Sequence, residues 1–182
     1  MLHQTAFQSF ADTTDPSQGA PRLGALRTEL KRRDLEGFVV PRADEHQGEY
    51  VPPRAERLSW LTAFTGSAGV AVVMQSKAAI FIDGRYTVQA REQVDATQFE
   101  QLSLIDQPPT DWIAVQLPKG ARFGYDPLLH TIHGVEALQA AVARAGGTLV
   151  PCADNPLDAV WDDQPAAPLV LSQLQATHSV AP

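Results

Sequence analysis

The sequence predicts an α/β fold, a three-layer α/β/α domain on a mixed sheet of roughly six strands. Three observations carry that prediction. Apolar residues recur at helical spacing in some stretches, as in Leu23, Leu26 and Leu30, and gather into short uninterrupted runs in others, as in Phe38-Val39-Val40. The two kinds of stretch alternate along the chain, which favours helices on both faces of one sheet. The apolar runs Gly69–Met74 and Ala78–Ile82 are separated only by Gln75-Ser76-Lys77, the length of a hairpin loop, so at least one strand pair is antiparallel.

Taken in order, residues 1–20 are rich in Gln, Ser, Thr and Asp with little apolar periodicity, and read as a loosely ordered arm. Pro21 suits the first turn of a helix that ends before Gly37. Gly37–Pro41 reads as a buried strand, followed by a polar loop to Pro52-Pro53. A helix is expected over 54–65 with Leu58 and Leu61 inward, then the hairpin, a helix over 86–94 and a strand over 98–104. Thr110 or Asp111 offers a cap for a short helix through Leu117, stopped by Pro118. A strand over 121–125 precedes the strongest helix, 131–145, whose expected apolar stripe is Ile132, Val135, Leu138 and Val142 and whose stop is Gly146-Gly147. The last strand covers 148–152, and the segment 163–182, with Pro165, Pro168, Pro182 and several alanines, reads as a linker. The packed domain is thus expected over 21–162.

The 182 residues carry a formal charge of −7, which disfavours phosphate backbones and argues against nucleic acid as a partner. The basic run Arg27, Lys31, Arg32, Arg33 falls at a helix end, where cations complement the macrodipole, and is expected to be a solvated face. One cysteine, Cys152, cannot form an internal disulfide, which points to a reducing compartment. No run of about 18 apolar residues is present and the first ten residues lack a secretory pattern, so the expected location is the cytoplasm, with no membrane partner.

No complete catalytic set emerges. Gly66-Ser67-Ala68-Gly69 lacks the spacing and the strand-to-helix order of a nucleophile elbow, and reads as a tight connection. His130 and His133 stand without the further ligands that a structural metal site requires. The run Asp44-Glu45-His46-Gln47-Gly48-Glu49-Tyr50 offers oxygens to a cation but not in EF-hand spacing, and reads better as a loop bordering a cleft. Asp83-Gly84-Arg85-Tyr86 sits where a strand hands over to a helix. Asp83 can cap that helix, whereas Arg85 opposes the macrodipole there, so it is either a tolerated surface charge or the partner of an acid or a ligand anion.

These same runs resemble motifs of the Xaa-Pro aminopeptidases. Asp44 to Tyr50 resembles their Asp-x-His-Gln-[Ser/Gly]-Glu-Tyr, Phe64 to Gly69 their Phe-x-Gly-Ser-Ala-Gly, and Asp83 to Tyr86 their Asp-Gly-Arg-Tyr. Gly124-Tyr125-Asp126-Pro127 is similar to a Gly-[Val/Tyr]-Asp-Pro turn, and the stretch from Asn155 to Pro165 to the domain exit, with Gln164 where that motif carries arginine. The resemblance spans about residues 22–165 and implies the creatinase/prolidase N-terminal domain, with a ribonuclease H-like sheet.

The resemblance also implies a second domain of similar fold and a third, pita-bread domain. That third domain would carry two divalent metal ions, manganese or zinc, on two Asp, two Glu and one His, where water attacks the bond before proline. None of the acids in this chain matches those ligands by motif, so no cofactor is expected in it and the isolated chain is expected to be inactive. The resemblance gives Arg85 a substrate-binding role and places His46 on the same cleft. The implied partner is a peptide with proline at its second position, within a homo-oligomer. A non-enzymatic protein-interaction module and the N-terminal domain of a creatinase-type hydrolase are the alternatives.

Overall fold

The computed structural model describes residues 14–166. Of the arm expected over 1–20, residues 1–13 lie outside the described residues, Pro16–Gln18 form a 3-10 turn, and α1 (Gly19–Arg32) begins two residues before the expected start. Then follow β1 (Gly37–Pro41), a 3-10 turn at Pro53–Ala55, α2 (Arg57–Thr62), β2 (Gly69–Met74), β3 (Ala78–Ile82) and α3 (Thr87–Gln93). The chain continues through β4 (Glu100–Ser103), α4 (Pro109–Gln116), β5 (Arg122–Tyr125), α5 (Ile132–Arg144) and β6 (Thr148–Pro151).

The strands form one six-stranded sheet in the order β4-β3-β2-β1-β5-β6. Strand β2 runs antiparallel to both neighbours and every other pair is parallel, so the sheet is mixed as expected. The hairpin is closed by Met74 N–H donating to the Lys77 carbonyl at 2.7 Å. Alternation along the strands splits the core into two layers. Phe38, Val40, Val73, Ile80 and Ile82 pack against Leu23, Leu26 and Leu30 of α1 and Leu58 and Leu61 of α2. Val39, Val72, Met74, Phe81 and Phe123 pack against Trp112 and Ile113 of α4 and Leu138 and Val142 of α5.

Several local expectations shift for identifiable reasons. Helix α2 is shorter than 54–65 because Ala63 adopts φ 65°, a left-handed stop. Helix α4 opens on Pro109 with no side-chain cap, so Thr110 and Asp111 lie inside it rather than capping it. Helix α5 keeps its expected cap, Thr131 Oγ accepting from Gly134 N–H at 3.1 Å, and Gly146 (φ 76°) follows its end. Its apolar stripe does not include Ile132, which is 79% exposed. At ~100° per residue Ile132 lies about 120° around the helix from Leu138, off the buried face.

The basic run at the end of α1 is engaged rather than merely solvated. Arg27 Nε donates to the Met74 carbonyl at 2.9 Å. Arg32 and Arg33 both clasp the Glu29 carboxylate, with their Nε atoms 2.7 and 2.6 Å from its oxygens. Hydrogen bonding from Arg32, then Arg33, against an opposing effect of burial, holds Glu29 down to about 2.

The sheet order has one consequence for the site. Because β1 and β3 flank the antiparallel β2, both end beside its beginning. Arg42 N–H donates to the Gly69 carbonyl at 3.1 Å and Asp83 N–H to the Ala68 carbonyl at 3.4 Å. The segment after β1, the Gly66–Gly69 connection and the Asp83–Tyr86 turn therefore meet at one end of the sheet.

Candidate functional site

Asp83 ends β3 and caps the 3-10 turn Gly84–Tyr86 that leads into α3, as its position predicts. Its Oδ1 accepts from Arg85 N–H at 2.9 Å and also from Arg85 Nε at 2.9 Å. Those bonds from Arg85, side chain first and backbone second, hold the Asp83 carboxyl below the ordinary carboxylate range. Arg85 is therefore the partner of an acid rather than a stray surface charge. Its side chain remains 70% exposed, with the guanidinium 5.5 Å from the centre of the Tyr86 ring.

Tyr86 is anchored in turn. Its hydroxyl lies 2.5 Å from Ser67 Oγ, and its ring meets Phe64 edge-on at 5.9 Å. Hydrogen bonding from Ser67 lowers the Tyr86 phenol below its ordinary value. Ser67 thus serves as a brace between two connections, and among the described residues its hydroxyl pairs with the Tyr86 hydroxyl rather than with a His or carboxylate. Gly66 is required by the same packing, since a Cβ there would come within 2.2 Å of the Phe64 ring.

Arg42 ties this brace to the loop that follows β1. Its Nη1 donates to the carbonyls of Glu49 at 3.2 Å and Ser67 at 3.4 Å, and its Nη2 lies 3.7 Å from Glu56. Burial pushes the Glu56 carboxyl up, with Arg42 opposing. Glu56 also lines a cavity of about 480 Å³ walled by Arg22 and the stacked pair Trp60 and Trp161. The loop after β1 is organised by Asp44, whose Oδ1 accepts from Gly48 N–H at 2.9 Å and His46 N–H at 3.0 Å. Those backbone bonds, Gly48 first, lower the Asp44 carboxyl. Asp44 Oδ1 is thus engaged by the backbone of its own loop. His46 is exposed and meets Glu45 at 4.0 Å, and no hydrogen bond or ion pair joins it to Arg85 among the described residues.

Below this end of the sheet, the buried Arg57 of α2 reaches Asp158 fork to fork, both bonds at 2.7 Å. Gln164, which departs from the arginine of the exit motif, donates to Asp158 at 2.9 Å and to the Arg54 carbonyl at 3.1 Å. Of the segment expected as a linker over 163–182, the described part is thus fastened to Asp158 and to the 3-10 turn that precedes α2, and residues 167–182 lie outside the described residues. His130 is half-buried on the Asp126 carbonyl at 2.9 Å, with burial pulling its pKa down, while His133 is exposed on Glu136, so the two do not converge.

Reasoning from sequence overlooked Arg42, Arg57 and Asp158. Arg57 left a readable signal, being an arginine four residues before the buried Leu61 on the same helix face. Arg42 left none, because its partners come from three separate segments. Among the described residues no three His, Cys, Asp or Glu side chains converge where a metal could sit. The described residues do not fit the two-metal group that the resemblance implies. Among the described residues no helix is long and apolar enough to cross a membrane.

Comparison with known proteins gives a consistent answer. The family described as Creatinase/Prolidase N-terminal domain matches residues 22–160. Human Xaa-Pro aminopeptidase 2 is 36% identical over 147 residues, covering 80% of this chain and 22% of that protein. A probable Xaa-Pro aminopeptidase P of Paracoccidioides brasiliensis (strain Pb18) is 39% identical over 160 residues, covering 86% of this chain and 26% of that protein. The crystal structure of X-prolyl aminopeptidase from Caenorhabditis elegans, described as a cytosolic enzyme with a di-nuclear active site, superposes with a TM-score of 0.74 at 27% identity over 81% of this chain and 26% of that one. The N-terminal domain of a putative metallopeptidase from Corynebacterium diphtheriae, at 21% identity and a TM-score of 0.57 over 72% of this chain and 94% of that one, shares the fold. The chain spans about a quarter of the length of the curated relatives it matches. With the family match over residues 22–160 and the fold shared with the Caenorhabditis elegans enzyme in agreement, this chain belongs to the creatinase/prolidase N-terminal domain family.

Proposed function

We propose that the chain is the N-terminal accessory domain of a metal-dependent Xaa-Pro aminopeptidase, an enzyme that removes the residue preceding proline from a peptide's amino terminus. The observation that carries this reading is the exposed Arg85 fork, held by Asp83 and the Tyr86 ring at the end of the sheet where the segments after β1 and β3 meet. Curated relatives named Xaa-Pro aminopeptidases, 36% and 39% identical, support it. In this reading the domain borders the cleft, Arg85 donates to the bound peptide, and the loop bearing His46 lines the approach. Water activation falls to two divalent ions, manganese or zinc, held by polypeptide outside this chain. Assembly into a homo-oligomer and a cytoplasmic location belong to the same reading, the latter supported by the lone, buried Cys152.

The test is to express the full open reading frame that contains this domain and offer it Xaa-Pro-Xaa peptides with manganese or zinc. Release of the residue before proline is expected. Failure to release it, or cleavage at other bonds, overturns the reading.

A further inference from the structure

The cavity beside Glu56 pairs an apolar wall with charged groups that already have partners. Val51, Pro53, Trp60, Ala63 and Trp161 line it. Arg22, at its edge, donates from Nη1 to the Trp60 carbonyl at 2.6 Å, and its guanidinium lies 5.0 Å from the centre of the Trp60 ring. Asp15 accepts from Ser17 N–H at 3.0 Å and from Ser17 Oγ at 2.6 Å, while Glu56 faces Arg42. A charged occupant would compete for groups that are already paired. An apolar one would cover indole and aliphatic surface without stranding a polar group.

The chain leaves the described residues beside this cavity. Gln164 N–H donates to the carbonyl of Trp161, itself part of the wall, at 3.1 Å. Its side chain donates to the Arg54 carbonyl at 3.1 Å, and Arg54 Nη1 donates to the Pro165 carbonyl at 3.2 Å. Arg54 adjoins Pro53 of the wall, so the exit is pinned to the cavity's edge. Pro168-Leu169-Val170-Leu171 follows within about 10 Å of chain from Pro165. Pro168 favours an extended residue before it, and in an extended run Leu169 and Leu171 share one side. No Asp, Glu, Lys or Arg occurs over residues 164–182. Residues 1–13 also reach the cavity, because Thr14 and Asp15 line it, but Asp12 would bring a third carboxylate beside Asp15 and Glu56.

We propose that the cavity walled by Trp60 and Trp161 is the seat of residues 168–171 of this same chain, with Leu169 and Leu171 laid against the two indoles. The stretch that reads as a linker then completes this side of the domain and fixes the path by which the chain leaves it. Nothing in this docking depends on the role of Arg85.

The experiment uses the 182-residue chain, whose three tryptophans give three indole N–H signals in heteronuclear NMR. Trp112 packs in the opposite layer of the core and serves as the reference. On a Cys152→Ala background a nitroxide is attached through Ser172→Cys. The Trp60 and Trp161 signals should be lost and the Trp112 signal kept, and adding Leu169→Asp with Leu171→Asp should restore both. That recovery separates docking from mere tethering. No loss, or a loss that persists with the two aspartates, overturns the inference. A nitroxide at Gln8→Cys that removes the two signals where the one at Ser172→Cys does not makes the amino-terminal arm the occupant, and overturns it as well. An unshifted Trp112 signal in each variant checks the fold. In the unlabelled chain, with Cys152 intact, the same two aspartates should increase acrylamide quenching of tryptophan fluorescence, and unchanged quenching also overturns the inference.

Discussion

Arg57 and Asp158, 101 positions apart, meet fork to fork with both N–O distances at 2.7 Å. The guanidinium is buried and the carboxylate is only half so. Arg57 Nη1 finds no hydrogen-bond partner among the described residues, so the pair is the main compensation for burying that charge.

The asymmetry of burial predicts an asymmetry of cost. Asp158→Ala leaves a buried cation without its counter-charge and should destabilise the domain by about 3 kcal/mol. Arg57→Met replaces the buried charge with an apolar chain and leaves Asp158 to solvent, and should cost about 1 kcal/mol. Urea unfolding midpoints of the two variants measure this, and the reverse order would falsify the assignment.

Glu29 predicts a pH dependence with a definite sign. Its folded pKa, about 2, lies below the ordinary 4.5, so its clasp by Arg32 and Arg33 contributes stability that is complete above pH 4.5 and lost as pH falls toward 2. Because Arg32 is exposed to solvent, screening reduces the contribution to about 1–2 kcal/mol. Glu29→Gln should therefore be less stable than the parent at pH 7, and the gap should narrow as pH falls through 4 and 3 and close near pH 2. A gap that is constant over that range counts against the clasp.

Gly66 and Gly84 make a matched pair. A Cβ at Gly66 would strike the Phe64 ring at 2.2 Å, whereas one at Gly84 meets nothing within 4 Å. Gly66→Ala should cost roughly 2 kcal/mol or more, and Gly84→Ala should stay within about 0.5 kcal/mol. Equal melting temperatures for the two would show that the Phe64 contact relaxes freely.

Arg85 predicts function without stability. With its side chain 70% exposed, Arg85→Ala should leave the unfolding midpoint of the domain unchanged. In the full-length enzyme the same substitution should lower kcat/KM for Xaa-Pro-Xaa peptides by roughly 10–100-fold, the loss expected for a charge-assisted contact made to the bound peptide.

What the sequence determined by itself is the part of the fold written in local periodicity. The spacing of Leu23, Leu26 and Leu30 specifies a helix with one buried face, and that face is buried. The three residues between Met74 and Ala78 specify a hairpin, and hence a mixed sheet. Asp83 specifies a cap from its position alone. Tertiary structure decided the rest, because each remaining relationship joins residues whose separation in sequence says nothing of their separation in space. The sheet order brought the ends of β1 and β3 together beside the start of β2. That placement let Arg42 bind carbonyls of Glu49 and Ser67 at once and braced Tyr86 on Ser67, and the return of the chain after β6 to α2 fastened Asp158 to Arg57. Periodicity along a chain records which face of an element is apolar, and only packing of those faces against one another selects which polar groups, left over at the edges, come within hydrogen-bonding distance.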